Sequence, residues 1–327
     1  MDFTPSEAHR ELAALTRLIA TDQPQDLWKE LAAAGVLSAA DFGLLEQCGV
    51  LVELGRVASE APYLETIVLG AGAIAAFGTV AQQTTWATPA ARGELRITPA
   101  LENSAVLDSG ILTGSASAVA YGTAADLIFV PTIDGVVAVQ PSDNGLVITP
   151  QNVGGRACAA LRFDGVRLGS ERLLPDPSAA RWLHDRATVG LCALQLGTVE
   201  RALELTAAYA AERVQFGRPI GAFQAVRQRI ADAYIDVEAI RLTLWQAAWR
   251  LAEGLPCAEE IATAKFWAAD GGHRVAHTAV HLHGGVGIDV SHPVHRYFLA
   301  AKHHEFSLGG ATAQLLALGD LLAAAPL

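Results

Sequence analysis

Helical periodicity that stops for a β-rich insert and then resumes is the feature that most constrains this fold. Over residues 7–19, 25–34, 44–58 and 63–77, apolar residues recur at helical spacing. Asp2 and Thr4-Pro5 mark a helix start, Gly35 a stop and Pro62 a break. From about Gly93 the pattern becomes short and β-branched, over 95–98, 105–107, 110–113, 126–130, 135–139, 146–149 and 159–163. Gly, Asp, Asn and Pro punctuate these runs, which predicts a small antiparallel sheet domain ending near Pro175-Asp-Pro177. Longer helical stripes then occupy 186–213, 223–253, 258–282 and 308–324, with short Gly/Pro connections that describe a helical bundle. The expected class is α+β, mostly α, in three parts: an N-terminal helical domain (1–94), a reduced middle β domain (95–178) and a C-terminal four-helix bundle (179–327).

Composition narrows the function classes. A net charge of −11 disfavours a nucleic-acid partner, although local arginines can still hold an anion. The most apolar run, 67–77, is too short to span a bilayer, and no charged n-region opens the chain. Cys48, Cys158, Cys192 and Cys257 form no CxxC pair, so structural thiols in a reduced, cytoplasmic setting are expected. The histidines near the C-terminus show no HExxH or Cys/His ligand spacing, so no metal site is expected. There is no Gly-x-Ser-x-Gly elbow, and the glycines of 70–76 follow no strand, which sets aside a hydrolase and a dinucleotide fingerprint. Trp245, Trp249 and Trp267 sit at helical spacing, as core or subunit-interface residues do.

One turn concentrates chemistry: Arg213-Val-Gln-Phe-Gly-Arg-Pro-Ile-Gly-Ala-Phe-Gln224. Arg213 offers a planar cation able to pair with phosphate oxygens, Gln215 and Gln224 offer amide donors, and Phe216 an apolar face. Read from residue types alone, an arginine capping a helix C-terminus beside a plain turn is the competing explanation. At Gly284-Gly285 the missing side chains would let backbone approach a ligand, or simply end a helix.

These segments resemble the acyl-CoA dehydrogenases. The stretch from Tyr209 through Arg213 and Gln224 to Val226 is similar to that family's segment between its first two C-terminal helices, and His281-Leu-His-Gly-Gly-Val-Gly287 to its later glycine motif. Phe163-Asp-Gly-Val-Arg-Leu-Gly-Ser-Glu-Arg-Leu-Leu174 resembles a third family stretch. The resemblance implies FAD as cofactor, with Arg213, Gln215, Phe216, Gln224, His281, Gly284 and Gly285 serving the adenine end of a flavin held mainly by an adjacent subunit.

The family's proton-abstracting carboxylate, by contrast, is missing. Its usual position in the late turn falls on Leu308, and its alternative position, early in the first bundle helix, on Ala187. Neither side chain takes a proton. Asp185 and Glu305 are the nearest stand-ins; a two-residue offset turns Asp185 to nearly the opposite side of a helix. Residues 100–109 lack the family's flavin-ring segment. Together these features resemble the shorter subunit of the heteromeric α2β2 acyl-CoA dehydrogenases of actinobacterial steroid side-chain catabolism. That resemblance implies a longer partner subunit supplying the base and flavin ring site, a steroid-derived acyl-CoA substrate and electron-transfer flavoprotein as acceptor. A self-sufficient dehydrogenase with a displaced base, and a non-enzymatic acyl-CoA-binding scaffold, are the alternatives.

Overall fold

The computed structural model describes residues 5–22 and 24–324. Asp2 and Thr4, expected to start a helix, lie outside the described residues. The chain forms two compact units: Met1–Thr21, Cys48–Ser59 and Thr188–Leu327 make one, Asp22–Gln47 and Glu60–Ala187 the other.

In chain order the first helices are α1 (Glu7–Thr21), α2 (Leu27–Ala33) and α3 (Leu44–Arg56). Asp26 caps α2 by accepting from the Lys29 amide, which starts the helix two residues later than the apolar spacing suggests. After Pro62 a π-helical segment, Leu64–Ala71, runs into α4 (Gly72–Phe77). Short helices α5 (Val80–Gln82) and α6 (Thr88–Ala91) complete this part, α5 closed by a Thr79–Gln82 capping box.

The β-rich insert folds as two four-stranded sheets. Its strands are β1 (Ile97–Pro99), β2 (Val106–Asp108), β3 (Ile111–Ala120), β4 (Leu127–Thr132), β5 (Gly135–Val139), β6 (Leu146–Val153), β7 (Arg156–Arg167) and β8 (Leu173–Leu174). One sheet has the order β2-β3-β7-β6 and is antiparallel throughout. The other has the order β1-β4-β5-β8, and its β1–β4 pair is parallel, a departure from the all-antiparallel expectation. The cause is connectivity: the chain leaves β1, builds β2 and β3 in the other sheet, and only then returns as β4, so β4 does not follow β1 through a hairpin. Leu112, Ile128, Val137, Leu161, Phe163 and Val166 are among the buried residues of the common core.

The helical unit carries α7 (Ser178–Glu212) from Thr188 onward, α8 (Gln224–Ala252), α9 (Ala258–His283), α10 (Pro293–Phe306) and α11 (Ala311–Ala324). Helix α9 packs against α8, α10 and α11. Glycines let α3 and α7 cross closely: a Cβ on Gly197 would lie 1.9 Å from the Val52 carbonyl oxygen, and one on Gly55 2.2 Å from that of Leu194. Two buried polar side chains show how such groups find partners within the unit. The Gln195 amide donates to the Ala268 and Ala301 carbonyls, and Lys265, fully buried, donates to the His304 and Glu305 carbonyls at the end of α10. Burial holds the Lys265 ammonium below its ordinary range. All four cysteines are buried and none forms a disulfide, and burial pushes the Cys192 thiol up to about 12.

Candidate cofactor-contacting site

The Arg213 turn is a β-hairpin between two helices. The Arg213 amide still bonds the Tyr209 carbonyl as a continuation of α7, and the Arg213 carbonyl accepts from Ile220. Between them β9 (Val214–Gln215) pairs with β10 (Arg218–Pro219). The two-residue loop has φ of +53° at Phe216 and +77° at Gly217, as a type I′ turn requires. Phe216 therefore holds a strained backbone, of order 1 kcal/mol or more, and the residue is 93% exposed. That ring meets Phe223 edge-on at 6.2 Å, and Arg218 lies 4.3 Å over the face of Phe223. Arg213 and Gln215 are exposed on the hairpin.

Gln224 is the first residue of α8, exposed, behind an N-cap (Phe223) that has no side chain to offer the helix amides. Arg227 returns to the turn and donates to the Gly221 and Ala222 carbonyls. Arg213, Arg218 and the positive end of a 29-residue helix thus share one exposed turn, a favourable setting for an anion.

The glycine motif ends α9. Gly284 takes φ +63° and ψ −139°, a conformation open to glycine almost alone, and its amide bonds the His281 and Val280 carbonyls. Among the described residues, no atom beyond the adjoining ones lies within 4 Å of where a Cβ would sit on Gly284 or Gly285, so packing against them does not require Gly285 to be small. His281 is exposed, whereas His283, two residues on, is buried with its ring stacked on Tyr209 at 4.3 Å and its Nδ1 2.8 Å from the Ala279 carbonyl. Burial, with His292 nearby, holds the His283 imidazole below its ordinary pKa, against the Ala279 hydrogen bond. Tyr209 is one helical turn before Arg213 and His283 immediately precedes Gly284, so this stack brings the two motifs to one end of the helical unit. Neither residue was singled out from sequence; the only signal was their position within the motifs.

The carboxylates fall elsewhere. Ala187 is buried on α7. Asp185 is in the third turn of α7, not at a cap, and Arg181 grips both its oxygens at 2.7 and 2.8 Å. Burial alone would raise its pKa, but hydrogen bonds from His184 and Arg181 hold it below the usual carboxylate range. Glu305, on α10, lies 2.6 Å from Lys302 Nζ and 3.1 Å from His273 Nδ1, so it is an occupied ion-pair partner. Leu308 sits between α10 and α11 at φ +55°, half-buried, its carbonyl accepting from Gln314. In residues 100–109, Asn103 spends its amide on the Ala100 and Pro131 carbonyls and accepts from Ala105, closing the turn on itself. A cavity of about 780 Å³ between α8 and α9 includes Asp236 and Arg274, which are paired to each other, beside His273 and His277. Among the described residues no group of three or more His, Cys, Asp or Glu is placed to hold a metal.

The residues of the two motifs fit one end of an extended anionic cofactor such as FAD: an arginine and amides for its diphosphate, an exposed ring and open glycine backbone for its adenosine. Comparison with known proteins bears on which cofactor family this is. Residues 179–320 match the family described as "Acyl-CoA dehydrogenase, C-terminal domain". The whole chain is 44% identical to the whole of acyl-CoA dehydrogenase FadE27 of Mycobacterium tuberculosis. Among solved structures it is similar to a chain in the ChsE4–ChsE5 complex of Mycobacterium tuberculosis, with TM-score 0.94, 43% identity and full coverage of both chains. It is also similar to a chain of the Tcur3481–Tcur3483 steroid ACAD, with TM-score 0.89, 37% identity, 97% of this chain and 98% of that one.

Proposed function

The chain belongs to the acyl-CoA dehydrogenase family of FAD-dependent oxidoreductases, and from that premise we propose that it is the site-completing subunit of a heteromeric acyl-CoA dehydrogenase. One observation carries the reading. The hairpin with Arg213, Gln215 and Phe216 and the open backbone of Gly284–Gly285 are presented outward at one end of the helical unit, while leucine and alanine stand at the positions of the proton-abstracting base. Such a chain can hold the adenine end of a flavin and cannot itself take the α-proton.

In this reading Arg213 pairs with the diphosphate of FAD, Gln215 and Gln224 donate amide hydrogens, Phe216 covers the adenine, and His281, Gly284 and Gly285 line the approach. FAD held by these residues would supply the acceptor for the hydride that leaves the β-carbon of an acyl-CoA. The base and the ring-binding segment come from a longer partner subunit. The substrate is a CoA thioester of a shortened steroid side chain, a choice supported by the likeness to a steroid ACAD. Electrons leave to electron-transfer flavoprotein, and the assembly works in the cytoplasm.

The test is to purify the chain alone and after co-expression with a longer acyl-CoA dehydrogenase subunit that carries the carboxylate, then count flavin and assay acyl-CoA oxidation. Flavin and activity are expected only in the co-expressed assembly, with fewer flavins than chains. A chain that alone binds FAD one-to-one and oxidises an acyl-CoA sinks the proposal.

A further inference from the structure

In the unit that carries the sheets, two polar side chains are brought together without hydrogen-bond partners. Glu65 lies on the π-helical segment and Tyr121 just after β3, each half-buried. The two elements are tied through β1. The Thr66 hydroxyl donates to the Ile97 carbonyl and accepts from the Ile97 amide, while the Thr98 hydroxyl donates to the Ala120 carbonyl at 2.6 Å. Strand β7 completes the frame: Cys158 pairs with Ala120, and the Tyr121 amide bonds the Ala157 carbonyl. Charge coupling links Glu65, Tyr121, Arg156 and Cys158, and Glu60 also acts on Tyr121. Tyr121 holds φ +55°, three residues after Ala118 at +53°. That conformation is unfavourable for a bulky residue and gathers at functional sites, as π-helical turns do. Among the described residues no group hydrogen-bonds the Tyr121 hydroxyl, and the Glu65 carboxyl meets only its own backbone. Polar ends shielded from water and left unpaired are costly unless something beyond the chain supplies a partner.

We propose that Glu65 and Tyr121 form a separate ligand site, which takes the carbonyl oxygen of an uncharged, largely apolar molecule between two hydroxyl donors. The chemistry selects that class. Burial outweighs the attraction of Arg156 and raises the Glu65 carboxyl to about 7, so near neutral pH about half of it carries a proton. The Tyr121 phenol is held above its ordinary range, chiefly by burial, and stays protonated. Two O–H donors want an acceptor. Arg156 opposes a cationic ligand, while Glu60 and any ionised Glu65 oppose an anionic one. Leu64, Ile67, Val119 and Cys158, which flank the pair, are buried and favour an apolar body. Both cofactor motifs belong to the other unit, so the site stands or falls apart from the proposed function.

The test titrates the full chain with 2-decalone, an uncharged bicyclic ketone, and with the carboxylate and ammonium counterparts of the same ring system, following binding by calorimetry. The ketone is expected to bind at least about tenfold more tightly than either ion. Tyr121→Phe removes one donor and should weaken ketone binding by about 3–10-fold. Glu65→Gln keeps a donor at every pH, so it should bind within about threefold of the wild type at pH 6. The pH profile separates a ligand contact from a merely structural role. Wild-type affinity should fall about tenfold between pH 6 and 8 as Glu65 loses its proton, whereas that of Glu65→Gln should stay level. Ketone binding that is equal in the wild type and Tyr121→Phe, or that has the same pH profile in the wild type and Glu65→Gln, overturns the proposal. So does tighter binding of the carboxylate or the ammonium ion, and so does a wild type that binds no ketone at millimolar concentration. Melting temperatures of both variants, read in parallel, show whether each is folded; should Tyr121→Phe not fold, the pH profiles of the wild type and Glu65→Gln decide alone.

Discussion

Replacing Gly197 by alanine should destabilise the protein markedly, although the same exchange at Gly319 should stabilise it. Both glycines lie inside helices, so intrinsic propensity favours alanine by about 1 kcal/mol at each. At Gly197 the new methyl would sit 1.9 Å from the Val52 carbonyl oxygen, 2.8 Å from its carbon and 2.9 Å from the Arg56 amide nitrogen. These are backbone atoms of α3, so no side chain can swing away. The methyl and the carbonyl oxygen would have to move apart by roughly 1.5–2 Å, since nonbonded atoms pack at about 3.5–4.0 Å. Separation would strain the Thr198 hydroxyl bond to the Gly55 carbonyl, 3.3 Å long already, and loosen the packing along the crossing. Overpacking costs about 1–3 kcal/mol and a lost buried hydrogen bond about 1 more. After the gain in propensity, a net loss of about 1–3 kcal/mol remains, or roughly 2–12 °C in melting temperature at 2–4 °C per kcal/mol. At Gly319 the propensity gain stands alone, so the isolated chain should melt about 2–4 °C higher. Thermal unfolding of both variants by circular dichroism is the assay. A Gly197→Ala protein at least as stable as the wild type would refute the idea that these glycines are dictated by a helix crossing.

The hairpin residues should behave differently from core residues. Arg213→Ala and Phe216→Ala remove exposed side chains and should leave the melting temperature of the isolated chain within about 1–2 °C, yet Arg213→Ala should lower flavin retention in the co-expressed assembly by roughly 10–100-fold, with Arg213→Lys intermediate; retention equal to wild type would remove Arg213 from the site. Replacing Asp185 by asparagine and Glu305 by glutamine should leave acyl-CoA oxidation by the assembly within about threefold, because both carboxylates are held in ion pairs; a loss of several hundredfold with retained flavin would restore the displaced-base alternative. Burial raises the Glu65 carboxyl to about 7, against its own backbone hydrogen bond and the attraction of Arg156. A raised folded pKa makes stability largest below the unfolded value and lowers it as pH rises through about 7, by at most about 3 kcal/mol. Denaturation of wild type and Glu65→Gln between pH 5 and 8 checks this; a wild type whose stability, relative to the variant, does not fall over that range contradicts it.

Local chemistry was well written in the sequence. Helical spacing, Pro62 and the glycine-punctuated β-branched runs placed most elements within a few residues, because each depends on neighbours along the chain. That a turn lies at Arg213 was legible for the same reason, from its glycines and Pro219; that it is a β-hairpin with Phe216 at positive φ was not, since phenylalanine disfavours that conformation. The π-helical course of Leu64–Ala71 was not, since the apolar pattern there suits either helix. The parallel β1–β4 pair escaped notice because register between distant strands is not a local property.

The site divides in the same way. Sequence alone determined which donors, cations and rings each motif offers and that Leu308 and Ala187 cannot act as bases, since those are properties of side chains. Only the tertiary structure decided that the Tyr209–His283 stack joins the hairpin to the glycine turn, and that Asp185 and Glu305 are held by Arg181, Lys302 and His273. Only it showed, too, that Gly197 serves a crossing inside the chain while Gly319 faces open space. Two glycines in two helices read alike as letters; what separates them is the distance to backbone from a remote part of the chain, which packing alone sets.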